Sequence, residues 1–180
     1  MKQTLTLAIS FVLFAVIAAS ARQSPEEPKE TKIVRALSAA PAKIAKSAKV
    51  VDVDEKGMET LLRKGTNGFT CYPGHLDVIG DNPVCKNGPA VQWEQDFSQH
   101  KSRPTNTEPG IEYMLAGGTD WSATDPEATS GNSITEPPHW MIMWPFDPAT
   151  TGLPTTAKQN GTWIMWAGTP WAHLMINQHP

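Results

Sequence analysis

The sequence predicts an α+β domain: a mainly antiparallel sheet with two or three helices packed on it, closed by one disulfide. Three observations predict it. Short apolar segments with β character recur along the chain, separated by Gly, Pro, Asn and Asp. Two longer stretches, around Ile33–Ala48 and Ala90–His100, read as helices instead. The only two cysteines, Cys71 and Cys85, have thirteen residues between them, a turn-rich segment.

The first residues set the context for the cysteines. Lys2 precedes an apolar run from Leu5 to Ala19, followed by Ala19-Ser20-Ala21. A charged start, a short apolar middle and a small-x-small site read as a signal peptide over residues 1–21. A run of fifteen residues falls short of the about 20 that cross a bilayer, so no membrane span is expected after cleavage. The expected location is exported, periplasmic or extracellular, where a Cys71–Cys85 disulfide is favoured. A loop of that size stabilises by roughly 3 kcal/mol in the chain-entropy view.

Residues 22–32 are polar, with Pro25 and Pro28, and are expected to form a disordered leader before a single globular domain over 33–180. Pro41 interrupts the helix over Ile33–Ala48 or starts a second one. Lys49–Val53 reads as a strand, Asp54–Gly57 as a turn and Met58–Arg63 as the returning strand. Phe69–Tyr72 is a third strand, and Pro73–Pro89 a loop that the disulfide closes. Ile111–Ala116 is a buried strand or short helix between Gly110 and Gly117-Gly118. Thr119–Pro138 reads as one long loop, a length that is usually functional or disordered. His139–Trp144, Thr162–Trp166 and Trp171–Ile176 complete the sheet.

The formal net charge of −3 conceals an uneven spread. Residues 22–64 carry ten Lys/Arg and seven Asp/Glu, whereas 65–180 carry four and eleven. The basic part has no long run of like charges, of the five or more that mark a nucleic-acid arm, and Lys43, Lys46 and Lys49 space out as a solvated helix face. Nucleic acid is therefore not an expected partner.

The most specific local feature is an echo. His139-Trp140-Met141-Ile142 returns as His173-Leu174-Met175-Ile176. Alternate residues of a strand share a face, so His139 lies with Met141 and Met143, and His173 with Met175. If the faces align, imidazoles and thioethers converge into a soft site suited to copper(I). The competing reading is a core packed by methionine, with hydrogen-bonded structural histidines. No other cofactor is expected. Trp140, Ile142 and Trp144 share the opposite face, which favours their burial, although tryptophans also form stacking platforms.

The long loop carries Asp120, Asp125, Glu127 and Glu136. Such oxygens suit calcium or an acid/base pair, but the spacing is not that of an EF-hand, and a solvated loop is the simpler reading. No Gly-x-Ser-x-Gly, HExxH or phosphate-binding glycine loop occurs.

The segments Leu62–Cys71, Gly110–Leu115, Thr124-Asp125-Pro126 with Ala128-Thr129, and Gly168–His173 resemble a family of uncharacterised, exported bacterial proteins. The likeness runs from about Ala36 to Ile176 and departs at Pro137-Pro138, where Gly-Pro would precede the histidine. It implies export and brings no activity, cofactor or site residue. The expectation is an exported binding or structural module for an unknown ligand. One alternative is a copper binder using His139, Met141, His173 and Met175. The other is a hydrolase or redox enzyme using His139 or His173 with Asp120 or Asp125.

Overall fold

The structure, a computed structural model, describes residues 27–177. The signal segment and the first residues of the expected leader lie outside them. The described chain runs α1 (Lys29–Ser38), α2 (Ala42–Ala45), β1 (Lys49–Val53), β2 (Glu59–Arg63), β3 (Thr70–Tyr72), β4 (Val84–Lys86), α3 (Gly88–Ser98), β5 (Gly110–Met114), β6 (Gly118–Asp120), β7 (Ile134–Glu136), β8 (His139–Met143), α4 (Pro148–Thr151), β9 (Gly161–Met165) and β10 (His173–Asn177).

One eight-stranded sheet in the order β2-β1-β3-β4-β5-β8-β10-β9 holds the molecule together; only the β1–β3 pair is parallel. The α+β expectation holds in this coarse form. The sheet is larger than expected and the helices fewer, since α2 and α4 are single turns of four residues. Three segments read as loop are ordered elements. Helix α1 starts at Lys29, inside the expected leader, because Lys32 pairs with Asp52 at 2.6 Å and Arg35 grips Glu27 and the Pro73 carbonyl. Strand β4 lies inside the Pro73–Pro89 loop. Strands β6 and β7 form a two-stranded ribbon at the two ends of the 119–138 loop.

The sheet has two covered faces. On one, Ala36, Ala39, Ala40 and Ala48 bring α1 and α2 down on Val50, Cys71 and Cys85. Small side chains permit that close approach. The Cys71–Cys85 disulfide joins directly opposed residues of β3 and β4 there. Both sulfurs are fully buried. Replacing both cysteines by Ala is expected to lower stability by about 3 kcal/mol, read as a drop in denaturation midpoint with a steeper slope as the unfolded chain expands.

On the other face α3 packs over β5. Asn87 caps the helix, its Oδ1 accepting from Ala90 N and from Ile111 N at 2.9 Å. A Cβ on Gly110 would sit 2.6 Å from Ala90 Cα, so glycine is what lets α3 lie this close. The helix ends with His100 in the left-handed region at φ 53°, its N–H donating to Phe97 O and that of Lys101 to Asp96 O.

Candidate functional site

The α3 face of the sheet reads across the strands in rows. One row is Thr70, Lys86, Glu112, Met141, Met175 and Trp163. A second is Met114, His139 and Asn177. A third joins Met143 on β8, His173 on β10 and Met165 on β9, by continuation of the β8–β10 register and the His173–Met165 pair. Met114, Met141, Met143, Met165 and Met175 thus share one buried cluster with Trp93, Trp163 and Trp171. The Trp140 face is the less covered one, against expectation: Trp140 and Ile142 are half-buried and Trp144 is 36% exposed. Helix α3 covers the histidine and methionine face instead.

A cavity of about 350 Å³ opens between this face, α3 and the 119–138 loop. Its lining carries the acids Glu112, Glu136, Asp120, Asp81 and Glu94, and also His173, Met143 and Met165 with Trp93, Trp166 and Phe97. Two tertiary clasps set the loop over it. Asn82 exchanges hydrogen bonds with Thr119, donating to its O and accepting from its N, both at 2.9 Å. Trp166, with the left-handed φ of 54°, donates its N–H to Ala123 O and its Nε1–H to Ser122 O. Trp166 thereby stacks on Phe97 and stands edge-on to His173 at 4.9 Å.

Burial pushes the Glu136 carboxyl up to about 7, and nearby Asp120 pushes it further the same way. Burial holds the Glu112 carboxyl well above the usual range, although Lys86 across the strand pair opposes it. Asp120 is also raised by burial. Lys86 is itself buried. Desolvation alone would pull it down, but Glu94 and Glu112 outweigh this and hold it at about 12. It pairs with Glu94 and lies 5.1 Å over the Tyr72 ring, outside the cavity. Burial lowers His139, and holds His173 down to about 4. Each imidazole donates Nδ1–H to a carbonyl two residues back, Pro137 O at 2.7 Å and Trp171 O at 3.0 Å. Nε2 of each is then an unprotonated acceptor.

The expected site residues divide accordingly. His139, Met141, His173 and Met175 share a face, and Met141 lies directly opposite Met175. The histidines are not brought together: His139 pairs with Asn177, four residues from His173, about 13 Å along the strand. Of the loop acids, Asp120 and Glu136 reach the cavity, while Asp125 and Glu127 are exposed in a turn where Asp125 accepts from Glu127 N. Among the described residues no group of three or more His, Cys, Asp or Glu is arranged to hold a metal ion. Glu112 is a functional candidate that the sequence reading missed. Glu112 had a signal: it is the one acid inside the apolar segment Ile111–Ala116.

Five buried side-chain atoms among the described residues have no hydrogen-bond partner: Glu112 Oε2, Glu136 Oε1, His139 Nε2, Trp163 Nε1 and Asn177 Oδ1. Four belong to the α3 face of the large sheet and the fifth to β7 beside it. Such atoms cost stability where they are left unpaired, and they cluster where something else completes them. Comparison with protein families, curated proteins and solved structures finds no match to this chain.

Proposed function

We propose that this chain is an exported ligand-binding module whose cavity takes a small organic cation, an amine or ammonium compound. One observation carries the reading. Glu112 and Glu136 present unpartnered, buried carboxyl oxygens to a cavity that no Lys or Arg lines. An ammonium group donates to those oxygens, and its charge favours their ionised form. The faces of Trp93, Trp121 and Trp166 offer cation–π contact, and the thioethers accept the apolar part. The volume suits a small molecule. The signal-like start and the disulfide support export. Among the described residues, no helix is long and apolar enough to cross a membrane.

The enzyme alternative has less support. Asp125 lies away from the cavity, and no Ser, Thr, Cys or Tyr is among its lining residues. That leaves no side-chain nucleophile of the usual kinds for His173 to activate.

The test is calorimetric titration of the folded chain with butylamine, 1,4-diaminobutane and choline, against glucose and acetate. Binding of at least one amine, and of neither control, is expected. The cation selects ionised carboxylates, so binding expels protons held below pH 7. Affinity therefore rises with pH, about tenfold per unit for each proton released, until the free-state pKa is passed. Silence from every amine, or an affinity flat between pH 6 and 8, would overturn the reading.

A further inference from the structure

Beside its carboxylates the cavity lining carries a second chemistry. His173, Met143 and Met165 are neighbours in one row across β8, β10 and β9, and all three line the same hollow. Directly opposed residues on one sheet face have Cβ atoms about 5 Å apart, and diagonal ones remain within reach of a long side chain. Met141, diagonal to His173 in the next row, adds a third thioether to the same wall.

We infer that His173 Nε2 with the thioethers of Met143 and Met165 forms a binding site for a soft monovalent metal ion of the copper(I) class. The site shares the cavity and its thioethers with the amine reading but uses none of its carboxylates.

The imidazole is what points to a ligand rather than to core packing. His173 is 2% exposed, and its Nδ1–H is engaged by Trp171 O. With Nδ1–H spent on that carbonyl, Nε2 carries the ring's lone pair, and the ring lines the cavity. A carbonyl on the distal nitrogen is the usual way a protein fixes a ligating histidine's tautomer and orientation. The flanking atoms are polarisable thioether sulfurs, which favour copper(I) over zinc or calcium. All the donors are neutral, and Trp93, Trp166 and Phe97 line the same cavity. A single positive charge is less costly to bury there than a double one. Trp166 stands 4.9 Å from the imidazole, ring centre to ring centre, beside the incoming ion. His139 takes no part, which replaces the four-residue set expected from the repeated His-x-Met-Ile with a set drawn from a third strand.

The probe is silver(I), a redox-inert ion of the same charge and softness, added to the folded disulfide-bonded chain. The chain carries methionine labelled with 13C at the methyl carbon. One ion per chain is expected to bind, shifting the Met143 and Met165 methyl resonances and leaving Met58, which is exposed at 65%, in place. Met143→Leu and Met165→Leu keep side-chain volume, so the fold survives. Each is expected to weaken silver binding at least about tenfold, while Met175→Leu leaves it unchanged. No binding, shifts confined to Met58, or affinity unchanged in both leucine variants would overturn the site. Because the readout is silver alone, its failure leaves the amine titration untouched, and the reverse also holds.

Discussion

At pH 8.5, Glu136→Gln is expected to melt roughly 5–10 °C above the unaltered chain, to match it near pH 4, and to bind amines at least tenfold more weakly. The three outcomes share one cause. Glu136 is held up to about 7, against an ordinary value of 4.5, by burial and by Asp120. The folded chain therefore binds this proton more tightly than the unfolded one. Its contribution to stability is fully present below pH 4.5 and is lost as pH rises through about 7. Two to three pKa units correspond to about 3 kcal/mol, an upper figure for a carboxyl that is 8% exposed. Glutamine keeps the shape and never ionises, so it escapes this loss. Were Glu136 a structural residue, its substitution would destabilise at every pH and leave binding alone. A buried carboxylate that weakens the fold and strengthens a ligand is the signature of a site. Differential scanning calorimetry from pH 4 to 9, beside the amine titration, separates the two. Glu112→Gln is expected to act in the same direction with a smaller gain in stability, because Lys86 then loses one of its two acidic neighbours.

What could be read in the residues follows the range of the interactions involved. Lys49–Val53 was legible as a strand because its pairing partner lies one short turn away and Val50 and Val51 carry the burial. The three C-terminal strands were legible because Gly and Pro bound them. Strand β4 was not. It has three residues between Pro83 and Asn87, too few to show alternation, and one of them is Lys86. A lysine reads as exposed unless Glu94, Glu112 and the Tyr72 ring are known to surround it, and two of those three lie on other strands. The ribbon of β6 and β7 was hidden for a similar reason. Asn82, thirty-seven residues before Thr119, is what fastens it.

The inverted burial of the His139–Met143 strand is the more instructive miss. Hydrophobicity alone places Trp140 and Ile142 inward. The sheet does the reverse because the helix that covers it is admitted at Gly110, beside Ala90, on the side that carries Glu112 and Met114. Which face becomes the core was decided by close approach between two backbones, not by the composition of either face. The cavity is a consequence. A face with a glutamate, two histidines and five methionines was covered by a helix and a loop that do not satisfy all its polar atoms.

Asp96→Asn is expected to cost about 2–3 kcal/mol, the largest loss from a single substitution predicted for this chain. Asp96 lies on the buried side of α3 with no exposed surface. Its Oδ1 accepts from Gln92 Nε2 at 2.8 Å and from Lys101 Nζ at 2.6 Å, and its Oδ2 from Thr105 N and Oγ1. Burial alone would raise the carboxyl. These donors outweigh burial and hold it down to about 2. Every contact is a donor to the charged form, so an amide, with one oxygen and its own hydrogens, leaves at least one donor facing a donor. The fault would not stay local. Asp96 ties the 99–105 turn to α3, and α3 supplies Trp93 and Phe97 to the cavity. The folded pKa is depressed, so the stability from Asp96 is present above pH 3.8 and lost as pH falls through about 2. Acid titration of stability should show that loss in the unaltered chain between about pH 4 and 2. It should be absent from the Asp96→Asn chain, which is already weaker at neutral pH. If both chains lose stability in parallel over that range, the carboxylate is not the knot that holds this turn to the helix.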